Sequence, residues 1–576
     1  MSVGFVIAVL LVASGGPGAA AMQAEPVPPV QQGALVQAGP PASFGGGPLP
    51  APPVIPPLGP YEYGPIATPL REAAPLAARL DELGQTRSIC PVEEGQDPFE
   101  VVDAFAQQEM EARGFPGAQI AIVQGGELVH ARGFGVKNRD EGGEVDAETQ
   151  FRIGSVTKMM TAAAVLQQVE AGEVDLQTPL QHYVPQFSLA NERYAADITV
   201  WNLLTHSSGV PELLTGFEMD GPKTPDALSE WAGSLGDVQP FVAPGSFWNY
   251  SNPNFSLAGL VAENVSGIHY NEYMVQELWS KAGMDATVLL PSDVMARGNY
   301  TFGHSRDLTS GEPVIYAPDD YDNWAFGPAG YAFSTSSDLV KFALLLMHGG
   351  GDVLRPESAE AMQAPQISLD TVPGAAYGYG IVLEPYNDLL LRDHGGNVLG
   401  WGAYLLWVPE RDFAVATVNN ADGNMTSTLV CAMEAVLGEP LPEQEDWSTD
   451  PSTWGPYAGE YHVVDVLFGR ITGAGQTEFD VDITLEDDTL SFIAPDVPDF
   501  MNPMVPFSRT LTQAALNTFV MDADLDGNVD ATWSVAFIDD PDDDLPESRW
   551  LRNRLFVGTR IVPAVPGLYV PVSLKH

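Results

Sequence analysis

Positive charge is scarce in this chain. Its 576 residues hold 25 Lys and Arg against 76 Asp and Glu, a formal net charge of −51. Only six of the cations are lysines. So acidic a surface repels polyanions, which argues against nucleic acid or anionic membrane as a partner. Cysteine is scarcer still. Cys90 and Cys431 are too few for a disulfide framework or a Cys-rich zinc site. They leave room for one bridge in an oxidising compartment. No apolar run is long enough to span a bilayer. The run at 4–13 is short and ends in G-G-P-G-A-A-A-M, as a cleavable export signal does. No repeat period appears, which argues against a solenoid or propeller.

What is present divides into four stretches. Residues 1–21 read as a signal peptide, so an exported, periplasmic or extracellular protein is expected. Residues 22–92 read as a Pro/Gly-rich tether and lead-in, nearly uncharged as far as position 65. Residues 93–440 carry periodic elements. Asp97 caps, Pro98 opens and Gly114 ends a predicted helix. A-Q-I-A-I-V-Q-G-G-E-L-V-H-A-R-G (118–133) predicts two strands around Gly125 and Gly126. G-A-Y-L-L-W-V (402–408) and F-A-V-A-T-V (413–418) predict two more, and a closing helix near 425–437 holds Cys431. Strands at both ends of a helical middle predict one antiparallel sheet with the terminal helices on one face. That packing would bring Cys90 to Cys431, so a bridge between them is expected. Residues 450–576 alternate short apolar runs with acidic turns and predict a small all-β barrel or sandwich. The expected class is therefore α/β in the α+β sense, with a C-terminal β domain.

One of the six lysines falls inside an apolar helical run, F-R-I-G-S-V-T-K-M-M-T-A-A-A-V-L (151–166). Lys158 is three residues after Ser155, so the two share a helix face. Ser155 sits at the helix start, where the dipole favours developing negative charge. A desolvated lysine loses its proton more easily and can then deprotonate a serine. The bland alternative is a Ser cap beside a lysine reaching for solvent. A second candidate is P-G-S-F-W-N-Y-S-N (244–252). Tyr250 could shuttle a proton, and the Asn252 amide could position Lys158 or the substrate. Tyr321-Asp322-Asn323 competes with it. A third is D-H-G-G-N-V (393–398). His394, Gly395 and Gly396 would let a substrate backbone lie along the strand edge. The N–H of Asn397 could form an oxyanion hole with that of Ser155. His348-Gly349-Gly350 competes, but it follows a helical run, so its glycines read as a C-cap.

Together the three motifs resemble the serine β-lactamase and penicillin-binding family, in its class C β-lactamase and DD-peptidase/esterase-like branch. That branch carries S-x-x-K, Y-[SA]-N and [KH]-[TSG]-G in this order. Ser155, Tyr250 and His394 follow one another at separations of 95 and 144 residues. L-L-T-H-S-S-G-V-P (203–211), P-A-G-Y-A-F-S-T-S-S-D-L (328–339) and Y-G-Y-G (377–380) resemble the family as well. No G-x-S-x-G elbow occurs, which disfavours an α/β-hydrolase. The resemblance favours Tyr250 over Tyr321 and His394 over His348. It implies an exported serine hydrolase that forms an acyl-enzyme on Ser155, with Lys158 as general base, alone or sharing that role with Tyr250, and Tyr250 as proton donor to the leaving group. β-Lactamases of this branch usually carry lysine where His394 sits, and histidine is mostly neutral at pH 7. A peptidase or esterase acting on a small molecule or peptide is therefore expected before a β-lactamase. A non-catalytic penicillin-binding or sensor protein on the same fold is the reading from another class. No cofactor is expected.

One acidic stretch stands apart. M-D-A-D-L-D-G-N-V-D places Asp522, Asp524, Asp526, Asn528 and Asp530 at the spacing of a Ca²⁺ loop, with Gly527 at the turn. The twelfth position is Trp533 rather than Glu, and D-G between two strand-like runs reads more simply as a hairpin turn, so no metal site is expected first.

Overall fold

The first helix, α1 (Pro98–Arg113), begins and ends where its sequence signals lie. The Asp97 carboxylate accepts the Phe99 N–H at 3.0 Å, and Gly114 closes the helix in the left-handed region at φ 71°. The computed structural model describes residues 88–561 apart from 213–220, 307–311, 321, 371–373, 441–449, 467–475, 499–504, 516, 522–529, 541–546 and 555. The signal and most of the tether lie outside the described residues, as do Tyr321 and the candidate Ca²⁺ positions Asp522, Asp524, Asp526 and Asn528.

Two strands follow, β1 (Gly117–Gln124) and β2 (Glu127–Asn138), then the short β3 (Gly142–Glu144). The chain then leaves the sheet for more than 200 residues. It returns through β4 (Ile367–Ser368), β5 (Ala376–Tyr377), β6 (Val382–Tyr386), β7 (Leu389–Val398), β8 (Trp401–Val408) and β9 (Phe413–Asn419). The nine strands form one sheet in the order β3-β2-β1-β9-β8-β7-β6-β5-β4, every pair antiparallel. The seam between β1 and β9 joins the two ends of this region, with Ala118 opposite Asn419.

Both faces of the central strands are covered, so those strands read as nearly continuous apolar runs. Ala118, Ile120 and Ile122 of β1 face α1 and α5 (Thr426–Ala432), while Ala121 and Val123 face the helical middle. Cys90 and Cys431 are joined in the α1/α5 layer, as the sequence led one to expect. The opposite layer holds the buried helix α2 (Thr157–Ala171) with α3 (Asn252–Ser266) and α4 (Ser336–Met347).

The eight C-terminal strands, from Gly459–Asp465 to Phe556–Arg560, close into a barrel by pairing first with last. Its core is aromatic, with Phe479, Phe492, Phe507, Phe519, Phe537 and Phe556 all buried. Met521 pairs with Asp530, so 522–529 connects two neighbouring antiparallel strands. The barrel is docked on the helical layer. Phe241, Val242 and Phe247 enter its hydrophobic cluster, and Arg552 donates to the carbonyls of Trp248 at 2.7 Å and Leu369 at 2.8 Å.

Candidate active site

Gly154–Val156 forms a 3-10 turn that leads into α2. Gly154 holds φ 51°, and a Cβ there would lie 2.5 Å from the amide nitrogen of Asn397. A Cβ on Gly396 would lie 2.0 Å from the Ile153 carbonyl and 2.9 Å from the Ser155 nitrogen. Glycine at both positions therefore lets β7 run directly against the turn. The backbone nitrogens of Ser155 and Asn397 both border this close approach, and Asn397 lies beyond Asp393, the last residue of β7 that pairs with β6. Ser155 belongs to this tighter turn rather than to the α-helix itself. Residues three apart still stack over one another in such a turn.

Lys158 Nζ is accordingly 2.9 Å from Ser155 Oγ. It also donates to Asn252 Oδ1 at 2.6 Å and to the Ala329 carbonyl at 2.6 Å. Lys158 is fully buried, while Ser155 keeps some contact with solvent. Burial holds the Lys158 amine well below the ordinary lysine range; the charge of Glu212 works against this and that of Arg554 with it. Three neighbouring oxygens would suit an ammonium. A neutral amine fits them equally well, donating twice and accepting the Ser155 hydroxyl proton. Full burial favours the neutral form.

Tyr250 donates its hydroxyl to Ser155 Oγ at 2.7 Å. Burial pushes this phenol up to about 12, so it stays protonated. His394 lies on β7 and is buried. Its Nδ1 is 2.6 Å from the Gly395 carbonyl and its Nε2 is 3.2 Å from the Tyr377 hydroxyl. Burial first, then the neighbouring Lys158, pull its imidazole down to about 3, so it is neutral at physiological pH.

The structure thus brings Ser155, Lys158, Tyr250, Asn252, His394, Gly395, Gly396 and Asn397 to one place. It leaves the described residues of the competing motifs elsewhere. Asn323 caps a short turn through the Ala325 N–H, and Asp322 accepts from Gly221. His348 caps α4 and pairs with Asp412 at 2.9 Å on the surface, followed by three glycines of positive φ. Among the described residues, no cluster of His, Cys, Asp or Glu is arranged to hold a metal ion, and no helix is long and apolar enough to cross a membrane.

Sequence reasoning missed three residues of the site. His206 lies 4.4 Å from Tyr250 between ring centroids, and its Nδ1 accepts the Ser251 N–H at 3.2 Å. Glu212 is fully buried and accepts both the backbone N–H and the side-chain amide of Asn252 at 3.0 and 3.2 Å. Arg554, from the barrel, donates to Glu212 at 2.8 Å and lies 4.5 Å from the Tyr250 ring centroid. A faint signal for Arg554 existed. Arg549, Arg552, Arg554 and Arg560 crowd into twelve residues of an otherwise acidic domain.

A family model described as Beta-lactamase matches residues 102–438. Penicillin-binding protein 4 of Amycolatopsis lactamdurans is 28% identical over 333 residues, covering 56% of this chain and 85% of that protein. Protein flp of Staphylococcus aureus (strain MW2) is 24% identical over 387 residues, 64% of this chain and 72% of that protein. Among solved structures, SurE aligns with a TM-score of 0.59 at 22% identity, over 81% of this chain and 99% of its own. The octameric penicillin-binding protein homologue from Pyrococcus abyssi aligns with a TM-score of 0.52 at 23% identity, over 80% and 99%. Both spans exceed the sheet-and-helix region and so extend into the barrel. A class C beta-lactamase aligns over 61% of this chain with a TM-score of 0.51 at 20% identity.

Proposed function

The chain belongs to the β-lactamase family, and on that premise we propose that it is an exported serine hydrolase acting on an amide or ester through an acyl-enzyme at Ser155. One observation carries the reading. Ser155 Oγ is shared between a buried amine at 2.9 Å and a protonated phenol at 2.7 Å. Lys158, neutral, takes the Ser155 proton as Oγ attacks the substrate carbonyl. The amides of Ser155 and Asn397 receive the developing oxyanion. Tyr250 passes its proton to the departing nitrogen or oxygen and recovers one from the Lys158 ammonium. Water then attacks the acyl carbonyl and its proton passes to the neutral Lys158, which returns it to Ser155 Oγ as the acyl–oxygen bond breaks, restoring the serine and the neutral amine. With the phenol pushed up to about 12, Lys158 suits the role of base and Tyr250 that of acid. The Cys90–Cys431 disulfide and the signal-like residues 1–21 support export to a periplasmic or extracellular setting.

The neutral His394 favours a DD-carboxypeptidase-like or esterase-like activity. Arg554 favours a second reading, a class C-like β-lactamase, because it brings a cation beside Tyr250 that His394 does not supply. Intact-mass time courses with benzylpenicillin and with p-nitrophenyl acetate, on the wild type and Ser155→Ala, test the proposal. An acyl adduct or ester turnover is expected in the wild type alone. Persistent penicilloylation without turnover of either compound would leave a DD-carboxypeptidase-like enzyme or a binding or sensor protein on the same fold, and turnover of the penicilloyl adduct would favour the β-lactamase reading. Equal labelling of Ser155→Ala, or no reaction with either compound, would overturn the proposal.

The oxyanion assignment has its own test. Gly396→Ala drives a Cβ into the Ile153 carbonyl and must move β7 off the turn. Acylation is expected to fall by about 10²-fold, the usual cost of losing one oxyanion donor. An unchanged rate in a variant that melts like the wild type would rule out this role for β7.

A further inference from the structure

Glu212 belongs to none of the three motifs, yet contacts converge on it. Its carboxylate is fully buried and can only accept hydrogen bonds. It must therefore receive the NH₂ end of the Asn252 amide, which it does at 3.2 Å. That orients Asn252 Oδ1 toward Lys158 Nζ, 2.6 Å away. The carboxylate thereby decides which way the amide points, and the amide decides where the lysine sits. A buried carboxylate without a countercharge is strongly destabilising. The countercharge comes from across the domain interface, where Arg554 Nη2 donates to Glu212 Oε2 at 2.8 Å. Arg554 is half exposed and reaches this point because the barrel is pinned nearby. Arg552 holds the carbonyls of Trp248 and Leu369, and Asn517 holds that of Asp370 at 2.6 Å.

We propose that Glu212 and Arg554 form a positioning pair through which the C-terminal barrel fixes Asn252 and, through it, Lys158 against Ser155. The barrel is then part of the active site rather than an appendage. The inference rests on the hydrolase reading for its catalytic meaning but not for its geometry. Among the described residues, the titratable and charged groups facing Lys158 are Glu212, Arg554, His206, His394 and Tyr250. Burial keeps both histidines and the phenol uncharged. Glu212 and Arg554 are thus the charges that bias the Lys158 amine, in opposite directions. Removing Arg554 leaves the carboxylate to stabilise the ammonium. Neutralising Glu212 leaves the guanidinium to oppose it.

The chain's six lysines make the test direct. Full-length protein is labelled with 13Cε-lysine, the Lys158 signal is assigned by its loss in Lys158→Met, and its titration is followed in the wild type, Arg554→Met and Glu212→Gln. The midpoint is expected to rise by about one pH unit in Arg554→Met and to fall by about as much in Glu212→Gln. Arg554→Lys, which keeps the charge, is expected to restore it. The acid limb of p-nitrophenyl acetate hydrolysis should move the same way in each variant. Glu212→Gln is isosteric and carries the test should Arg554→Met fail to fold. Midpoints that stay put, or move in the same direction in both variants, overturn the pair. Opposite shifts in a protein that neither hydrolyses nor is acylated would keep the pair and remove the hydrolase reading.

Discussion

Replacing Lys158 with Met is expected to leave a folded protein whose Ser155 is acylated about 10²–10⁴-fold more slowly, the range lost with a general base. Methionine is of similar length and suits an apolar cavity. The Lys158 side chain is fully buried, with Nζ 4.9 Å from the Tyr250 ring centroid and 5.8 Å from that of Phe255, so the replacement keeps that volume filled. Two acceptors lose a donor, Asn252 Oδ1 and the Ala329 carbonyl. Each such loss costs about 1–3 kcal/mol. Against that stands relief from burying an ionisable amine, so unfolding should move far less than the rate. Tyr250 remains on Ser155 Oγ but, pushed up to about 12, is a poor base near neutral pH. Rapid-mixing mass spectrometry with p-nitrophenyl acetate or benzylpenicillin, beside a thermal melt, measures both quantities. Wild-type acylation in the variant would remove Lys158 from the mechanism. Intact Lys158 also predicts a sign. Acylation should rise with pH as the amine deprotonates, with its midpoint below the ordinary lysine range.

The second large effect concerns stability. Cys90 and Cys431 are 341 residues apart, and their bond closes nearly the whole sheet-and-helix region into a loop. Replacing both with Ser is expected to cost about 2–5 kcal/mol by freeing the unfolded chain. The native contacts at this point are also local and dense. The Ser88 hydroxyl and the amides of Ile89 and Cys90 all donate to the Glu434 carboxylate, the last two at 2.8 and 3.1 Å. With the bond gone, these contacts and the packing of Ile89 would still hold the chain entering α1 to the helix that follows β9. The bond lies in the α1/α5 layer, on the opposite face of the sheet from α2, so the acylation rate at 25 °C should change little. Denaturant melts of wild type and double mutant, with and without reductant, decide this. A midpoint that does not respond to reductant would show that the bond adds nothing.

The signals that could be read directly are those whose chemistry is local. Asp97, Pro98 and Gly114 mark α1 because capping and chain reversal act on adjacent backbone. Ser155 and Lys158 declare themselves because the contact between them spans three residues. The apolar runs of β1, β8 and β9 are legible because both faces of the central sheet are buried. Other features were legible only as alternatives. Tyr250 and Tyr321, or His394 and His348, look alike in isolation, and resemblance to a family chose between them before geometry did. Once folded, the two histidines differ plainly. His394 is buried at Tyr377, whereas His348 ends a helix at the surface beside Asp412.

The sequence by itself determined the acid-rich surface, the α+β class, the terminal strands that meet in one sheet and the three short motifs. Each of these is a matter of composition, periodicity or spacing within a few residues. Only the tertiary structure decided that Glu212 orients Asn252, that Arg554 reaches it from the barrel, and that His394 is held neutral. Those depend on burial and on contacts across as many as 342 residues of chain. A buried charge takes its meaning from whichever group the fold sets beside it. Spacing along the sequence carries no record of that neighbour.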